Sequence, residues 1–251
     1  MIHFRNVHKA FGERRILKGI DLDIEAGKTT TILGVSGGGK STIIKHIVGL
    51  LQADSGQIIV DGHDISHGGN EALMNVRRVT GFLFQSGALF DSMNVRDNVI
   101  FPLAEHTTMT LKEMHYEAER SLSMVGLDPK EVLSLMPHEL SGGMRKRVGL
   151  ARTLVSKPKI ILYDEPTSGL DPISSDHITQ MIKNLQAQLR VTSILISHDM
   201  KEAFKSSDKM AMLWDGKIIE YGDVRHFQET QNPYVQQFVE GTSEGPIQFV
   251  D

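Results

Sequence analysis

The densest chemistry in the chain lies in Gly34-Val35-Ser36-Gly37-Gly38-Gly39-Lys40-Ser41. Glycines at this density let neighbouring backbone N–H groups converge on the oxygens of an anion, and Lys40 adds a full positive charge. The flanks suit that use. The β-rich run Thr29–Leu33 precedes the loop and the helical run Ser41–Leu51 follows it, so a helix N-terminus contributes its positive dipole end. A polyphosphate is the expected ligand. Lys40 would neutralise β/γ-phosphate charge and the Ser41 hydroxyl would ligate Mg²⁺, with Thr42 in the same turn.

Two further segments fit the same ligand. Ile160-Ile161-Leu162-Tyr163-Asp164-Glu165 is an apolar strand ending in two acids. A buried strand can deliver Asp164 to a magnesium ion, which prefers hard oxygen ligands. Glu165 could then polarise an attacking water as general base. Leu140-Ser141-Gly142-Gly143-Met144 again sets serine and glycines ahead of a helical run, Met144–Val155, and so makes a second anion site. One polypeptide hardly needs two clamps on one γ-phosphate, unless the second acts on a nucleotide held by another copy.

These residues need a scaffold. Ile20, Leu22 and Ile24 alternate with Asp21, Asp23 and Glu25, the period of a half-solvated strand in an antiparallel sheet. Thr29–Leu33, Gln57–Val60, Ile160–Tyr163 and Ser193–Ile196 are short and apolar, as buried strands of a mostly parallel sheet are. Ile173–Leu189 reads as a helix with Pro172 at its start. Asp215-Gly216 reads as a hairpin turn between Met210–Trp214 and Lys217–Tyr221. From about residue 86 to 156 the pattern is helical, at Leu111–Val125 and Met144–Val155, with no clear strand between. A helical subdomain inserted into an α/β core is expected. Asn232-Pro233 caps and opens a helix over Tyr234–Val239. Its apolar Tyr234, Val235, Phe238 and Val239, with Ile247, Phe249 and Val250 beyond a Gly-Pro break, should dock on the chain's own core or on a partner copy.

Composition narrows the class. The 251 residues are 40% hydrophobic and 23% charged, enough for a sizeable core. A net charge of −4 supplies no basic stripe, so a nucleic-acid partner is not expected. Without cysteine there is neither a disulfide nor a thiolate metal site. No apolar run approaches the roughly 18 residues of a membrane span, and the N-terminus lacks a signal-peptide pattern. A membrane role is therefore expected to come through a partner.

Over residues 1–221 the sequence resembles the ATP-binding-cassette (ABC) family, with 222–251 as a C-terminal extension. The resemblance implies a P-loop NTPase (RecA-like) core, an N-terminal antiparallel β-subdomain and the inserted helical ABC subdomain. It implies ATP and Mg²⁺ as ligands. Phe11 matches the aromatic that stacks on adenine, and Gln85 the glutamine that meets Mg²⁺ beside Ser41 and Asp164. Leu140–Met144 matches the signature that closes on the partner copy's ATP. Ser168-Gly169-Leu170-Asp171 matches the D-loop, and His198 the switch histidine that contacts γ-phosphate. Met144 departs from the commoner glutamine, while the Ser-Gly-Gly core is intact.

Phe84-Gln85-Ser86-Gly87-Ala88-Leu89-Phe90-Asp91, Leu140–Arg147 and the tail around Gln237–Gly241 are similar to the ATPases of Mla (maintenance of lipid asymmetry) phospholipid transporters. That implies a homodimer at the cytoplasmic face of a bacterial inner membrane. Its partners would be an integral membrane permease, an MCE-domain lipid-binding protein and a STAS-like subunit. Part of Ser86–Leu103, which holds Leu89, Phe90, Met93, Val95 and Phe101, is expected to line a groove for a permease helix. Importer ATPases for amino acids or osmolytes share the same motifs, as does, more remotely, a soluble ABC ATPase acting on nucleic acid or ribosomes.

Overall fold

A computed structural model describes residues 1–248 of the chain. In chain order they form β1 (Ile2–Phe11), β2 (Arg14–Ile24), β3 (Thr29–Leu33), α1 (Lys40–Ile47), β4 (Ser55–Val60), β5 (His63–Asp64) and α2 (Gly69–Val79). Next come β6 (Thr80–Leu83), α3 (Val95–His106), α4 (Leu111–Met124), α5 (Pro129–Val132), α6 (Gly142–Leu154), β7 (Ile160–Asp164) and α7 (Pro172–Leu189). The chain continues through β8 (Thr192–Ile196), α8 (Met200–Ser206), β9 (Lys209–Trp214), β10 (Lys217–Gly222), α9 (Val224–Glu229) and α10 (Pro233–Glu240). Two compact units result: Met1–Val76 with the chain from Ile194 onward, and Arg77–Ser193.

The first unit holds an antiparallel sheet of order β2-β1-β4-β5. In β2, Ile20, Leu22 and Ile24 are buried while Asp21 and Asp23 face solvent, as the alternation requires. Gln57–Val60 departs from its expected place. It belongs to β4, which pairs antiparallel with β1 (Ile2↔Val60, Phe4↔Ile58) and not in a parallel sheet. The reason is visible in its burial: Ile58 and Val60 are core while Ile59 is only half-buried, so a period of two underlies the apolar run. The second layer of this unit has β3 parallel to β9, with β10 returning antiparallel. Every residue of β3 is buried, the pattern of a strand covered on both faces. Asp215 and Gly216 both take positive φ, 43° and 73°, and make the hairpin. Helix α1 stops at Ile47, short of the expected Leu51, because Gly49 turns the chain.

The tail belongs to this unit as well. Asn232 caps α10 by accepting from Tyr234 N at 3.1 Å. Val235 and Ile247 are buried in one cluster with Leu33, Met210, Met212 and Phe227, and Tyr234, Phe238 and Val239 pack against it. Buried Gln237 ties the end down, accepting from Ile247 N at 2.7 Å and donating to Ile247 O at 3.0 Å. The docking is thus on the chain's own core as far as residue 248. Phe249, Val250 and Asp251 lie outside the described residues.

In the second unit β6 and β7 pair in parallel. Between them α3 packs on α4 and α6, with no strand among the described residues from 84 to 159. Helix α3 contains Pro102, a residue that argues against a helix when read from sequence alone. Asn98 secures that region from complete burial. Its amide nitrogen donates to Phe90 O, Met93 O and Asn94 O at 2.9–3.1 Å, and its oxygen accepts from Phe90 N at 2.8 Å. The caps are local and strong: Thr110 and Glu113 form a reciprocal capping box on α4.

Candidate nucleotide site

The first unit carries the glycine loop. Gly34 leaves β3 with φ +147°, and a Cβ there would lie 2.4 Å from the Leu213 carbonyl oxygen, so only glycine fits. Lys40 folds back over the loop, donating to Gly34 O at 2.8 Å and Val35 O at 2.9 Å. The cation and the loop backbone are held as one body. Helix α1 starts at Lys40 with Gly39 at its cap, no side-chain cap bond and no acid in its first turn. No carboxylate in that turn offsets its positive dipole end. Ser36 and Gly37 are exposed; Ser41 and Thr42, in the first turn of the helix, are half-buried.

Two further expected residues sit in this unit. Phe11, at the end of β1, is 50% exposed, with the Lys9 ammonium 5.5 Å from its ring centre. His198 is exposed between two anchored neighbours. Ser197 is buried, pairs its hydroxyl with Glu202 at 2.5 Å and accepts from Asp199 N at 3.0 Å. Asp199 then caps α8, so the chain on both sides of His198 is fixed.

The second unit gathers the acids. Asp164 is buried at the end of β7. Glu165 follows with φ +46°, a left-handed conformation that costs a non-glycine residue about 1–3 kcal/mol and recurs at functional sites. The Gln85 amide donates to Ser168 Oγ at 2.9 Å and to Glu165 Oε2 at 3.3 Å, and Ser168 N donates to Glu165 O at 3.1 Å. Gln85 is thereby brought to Glu165 and Ser168, which share one turn 80 and 83 positions further along the chain. Asp171 turns to cap α7, accepting from Ile173 N and Ser174 N at 3.0 Å each. Hydrogen bonds from the Ser174 hydroxyl and backbone hold its carboxyl below the usual range.

The serine-glycine segment is itself a helix start. Gly142 and Gly143 form the first turn of α6, and Ser141 caps it by accepting from Met144 N at 3.2 Å. The helix thus begins two residues before the expected Met144, and Leu140 is buried behind it. A Cβ on Gly142 would stand 3.6 Å from Leu170 Cδ2, so this turn adjoins the loop that holds Ser168, Gly169 and Leu170. Lys146 is a residue that pattern reading passed over. It is buried and donates to Ser168 O at 2.5 Å. The run Arg145-Lys146-Arg147 is visible in the sequence, but which of the three turns inward is a matter of helix packing.

A groove of about 800 Å³ opens in the same unit, lined by Phe84, Ala88, Phe90, Phe101, Arg78 and Arg152 among others. Phe90 packs against Phe101 with the rings tilted by 55° and their centres 4.8 Å apart, and Arg152 lies 5.6 Å from the Phe90 ring centre. Of the residues expected there, Phe90 and Phe101 line the groove, whereas Val95 is core.

Residues 17–168 match the family described as ABC transporter. The chain belongs to the ABC transporter family. It is an ABC-type ATPase with the α/β P-loop NTPase fold. Among curated proteins it is similar to the probable ribonucleotide transport ATP-binding protein mkl of Mycobacterium leprae, 42% identical over 98% of this chain and 70% of that protein. It is also similar to the intermembrane phospholipid transport system ATP-binding protein MlaF of Escherichia coli K12, 39% identical over 99% of this chain and 92% of that one. Among solved structures, the ABC cassette MJ0796 in a dimeric post-hydrolysis state with ADP and Pi gives a TM-score of 0.81. It is 31% identical, with 90% of this chain and 99% of that chain covered. No helix among the described residues is long and apolar enough to cross a membrane.

Proposed function

We propose that this ABC ATPase energises phospholipid transport between bacterial membranes, as a homodimer bound to an integral membrane permease at the cytoplasmic face of the inner membrane. The observation that carries the reading is the similarity to MlaF, which spans nearly the whole of both chains. An MCE-domain lipid carrier and a STAS-like subunit complete the proposed assembly. The similarity to mkl favours a second cargo, a ribonucleotide. The two readings part in proteoliposomes holding the chain with its co-purifying permease: phospholipid, and not ribonucleotide, should move with ATP turnover. Movement of ribonucleotide alone would replace the lipid reading.

The assigned roles follow from the chemistry of each group. Gly34–Thr42 cradle the phosphates, Lys40 and His198 face the γ-phosphate, and Phe11 stacks on adenine. Leu140–Met144 of the second copy closes on the same nucleotide. Ser141 suits this task, since its oxygen accepts from its own helix while its hydroxyl proton remains available to donate to an anion. Ser168–Asp171 carry the state of the site across the pair. The donors Ser41, Gln85 and Asp164 are all hard oxygens, the set that Mg²⁺ takes alongside phosphate. Mg²⁺ when bound supplies charge neutralisation of the phosphates. Glu165 takes the proton of the attacking water. Glu165→Gln should bind Mg-ATP and pair normally, with turnover lower by about 10²–10⁴-fold. Near-normal turnover in that variant refutes the assignment.

The aromatic groove of the second unit receives a cytoplasmic helix of the permease. The chain has no cysteine, so Ala88→Cys is a clean crosslinking site. Failure of that cysteine to crosslink to the permease in the intact complex would remove the groove from the interface.

A further inference from the structure

Four groups from three stretches of the second unit, around Gln85, Lys146 and Glu165–Ser168, form one hydrogen-bonded chain. The Lys146 ammonium, buried on α6, donates to the Ser168 backbone carbonyl at 2.5 Å. Ser168 Oγ receives the Gln85 amide at 2.9 Å, and that amide also reaches Glu165 Oε2 at 3.3 Å. The same helix grips the stretch that follows Gln85. Arg152 donates to Gly87 O at 2.9 Å, and a Cβ on Gly87 would stand 3.0 Å from Arg145 O. Helix α6 therefore holds both arms that orient the Glu165 carboxylate, and it is the helix whose first turn presents Ser141.

We propose that Lys146 is a positioning residue for hydrolysis. Its ammonium locks the Ser168 carbonyl, which sets Ser168 Oγ for the Gln85 amide and so fixes the rotamer of Glu165. A charged donor suits the role. An ammonium–carbonyl bond in a buried place is stronger than a neutral one, and it loses its geometry if α6 rotates. Movement of α6 when Ser141 meets an anion is thereby passed to Glu165 of the same chain. The inference rests on the reading of Glu165 as base.

The test measures Mg-ATP turnover and binding by the full-length chain in its transporter complex. Lys146→Met keeps the length and apolar stem of the side chain and removes the donor. It should lower kcat about 10–100-fold, leaving nucleotide affinity and the thermal midpoint close to wild type. Lys146→Arg should restore most of the turnover, and Lys146→Gln, a second variant should the Met form fail to fold, should fall between them. Combined with Gln85→Ala, Lys146→Met should add little further loss, since both act through one chain of bonds. Unchanged kcat in Lys146→Met, equal losses in kcat and nucleotide affinity, or multiplicative losses in the double variant would overturn the proposal. Glu165→Gln separates the two levels. If it abolishes turnover while Lys146→Met leaves kcat unchanged, the positioning role fails alone; if it turns over normally, the base assignment fails.

Discussion

Replacing Gly34 with alanine puts the geometry of the phosphate loop under direct load. At φ +147° the backbone lies where side chains are rarely tolerated, which costs about 1–3 kcal/mol. The new Cβ would sit 2.4 Å from Leu213 O, about 1 Å inside ordinary contact, and its neighbour there is backbone. Forcing that shift adds about 1–3 kcal/mol. Gly37 in the same loop is the control. It also has positive φ, +72°, but a Cβ there meets nothing within 4 Å, so Gly37→Ala should lose only about 1–2 kcal/mol. Thermal unfolding without nucleotide should show the difference. At roughly 2–4 °C per kcal/mol for a chain of this size, Gly34→Ala should fall on the order of 5–20 °C and Gly37→Ala a few degrees. Because Lys40 is bonded to Gly34 O and Val35 O, Gly34→Ala should also weaken binding of a fluorescent ATP analogue. Equal midpoints for the two variants would refute the close-approach argument.

Gln237→Ala would leave the buried Ile247 N–H and C=O without their partner, about 1–3 kcal/mol each, and the tail should detach sooner than bear that loss. Limited proteolysis should then cut after Gly241 while the rest of the chain stays intact. Asn98→Ala removes the ties to Phe90 and Met93, so the thermal midpoint should fall by an amount equivalent to roughly 2–4 kcal/mol. Cleavage should rise in 86–95, the segment that supplies the groove. His46 is buried, and desolvation holds its imidazole below the ordinary value of about 6.5, with the Lys9–Asp54 pair nearby. Its neutral form is the folded one. That contribution is complete above about pH 6.5 and is lost as pH falls towards the lower folded value, at no more than about 1.4 kcal/mol per pH unit. His46→Leu should therefore lose less stability than wild type between pH 7.5 and pH 5.5, and an identical loss would contradict the assignment.

Some of this protein is written locally. The glycine loop between Thr29–Leu33 and α1, the acids closing β7, the Asp215-Gly216 turn, Pro172 at the start of α7 and the cap at Asn232 each involve residues a few positions apart. Their partners are fixed by chain connectivity, so residue type and spacing were enough to find them. Other features needed the folded chain. Gln57–Val60 is as apolar as a parallel core strand, and only its pairing with β1 made it antiparallel. Helix α3 formed through Pro102 because its neighbours α4 and α6 supply packing that outweighs one missing N–H. The sequence left open where the tail docks, and Gln237 with Ile247 holds it on the chain's own core as far as residue 248. Gln85, Lys146, Glu165 and Ser168 meet although the farthest are 83 positions apart. Such meetings depend on which face of a helix is buried and where a strand ends, quantities set by the packing of the whole chain.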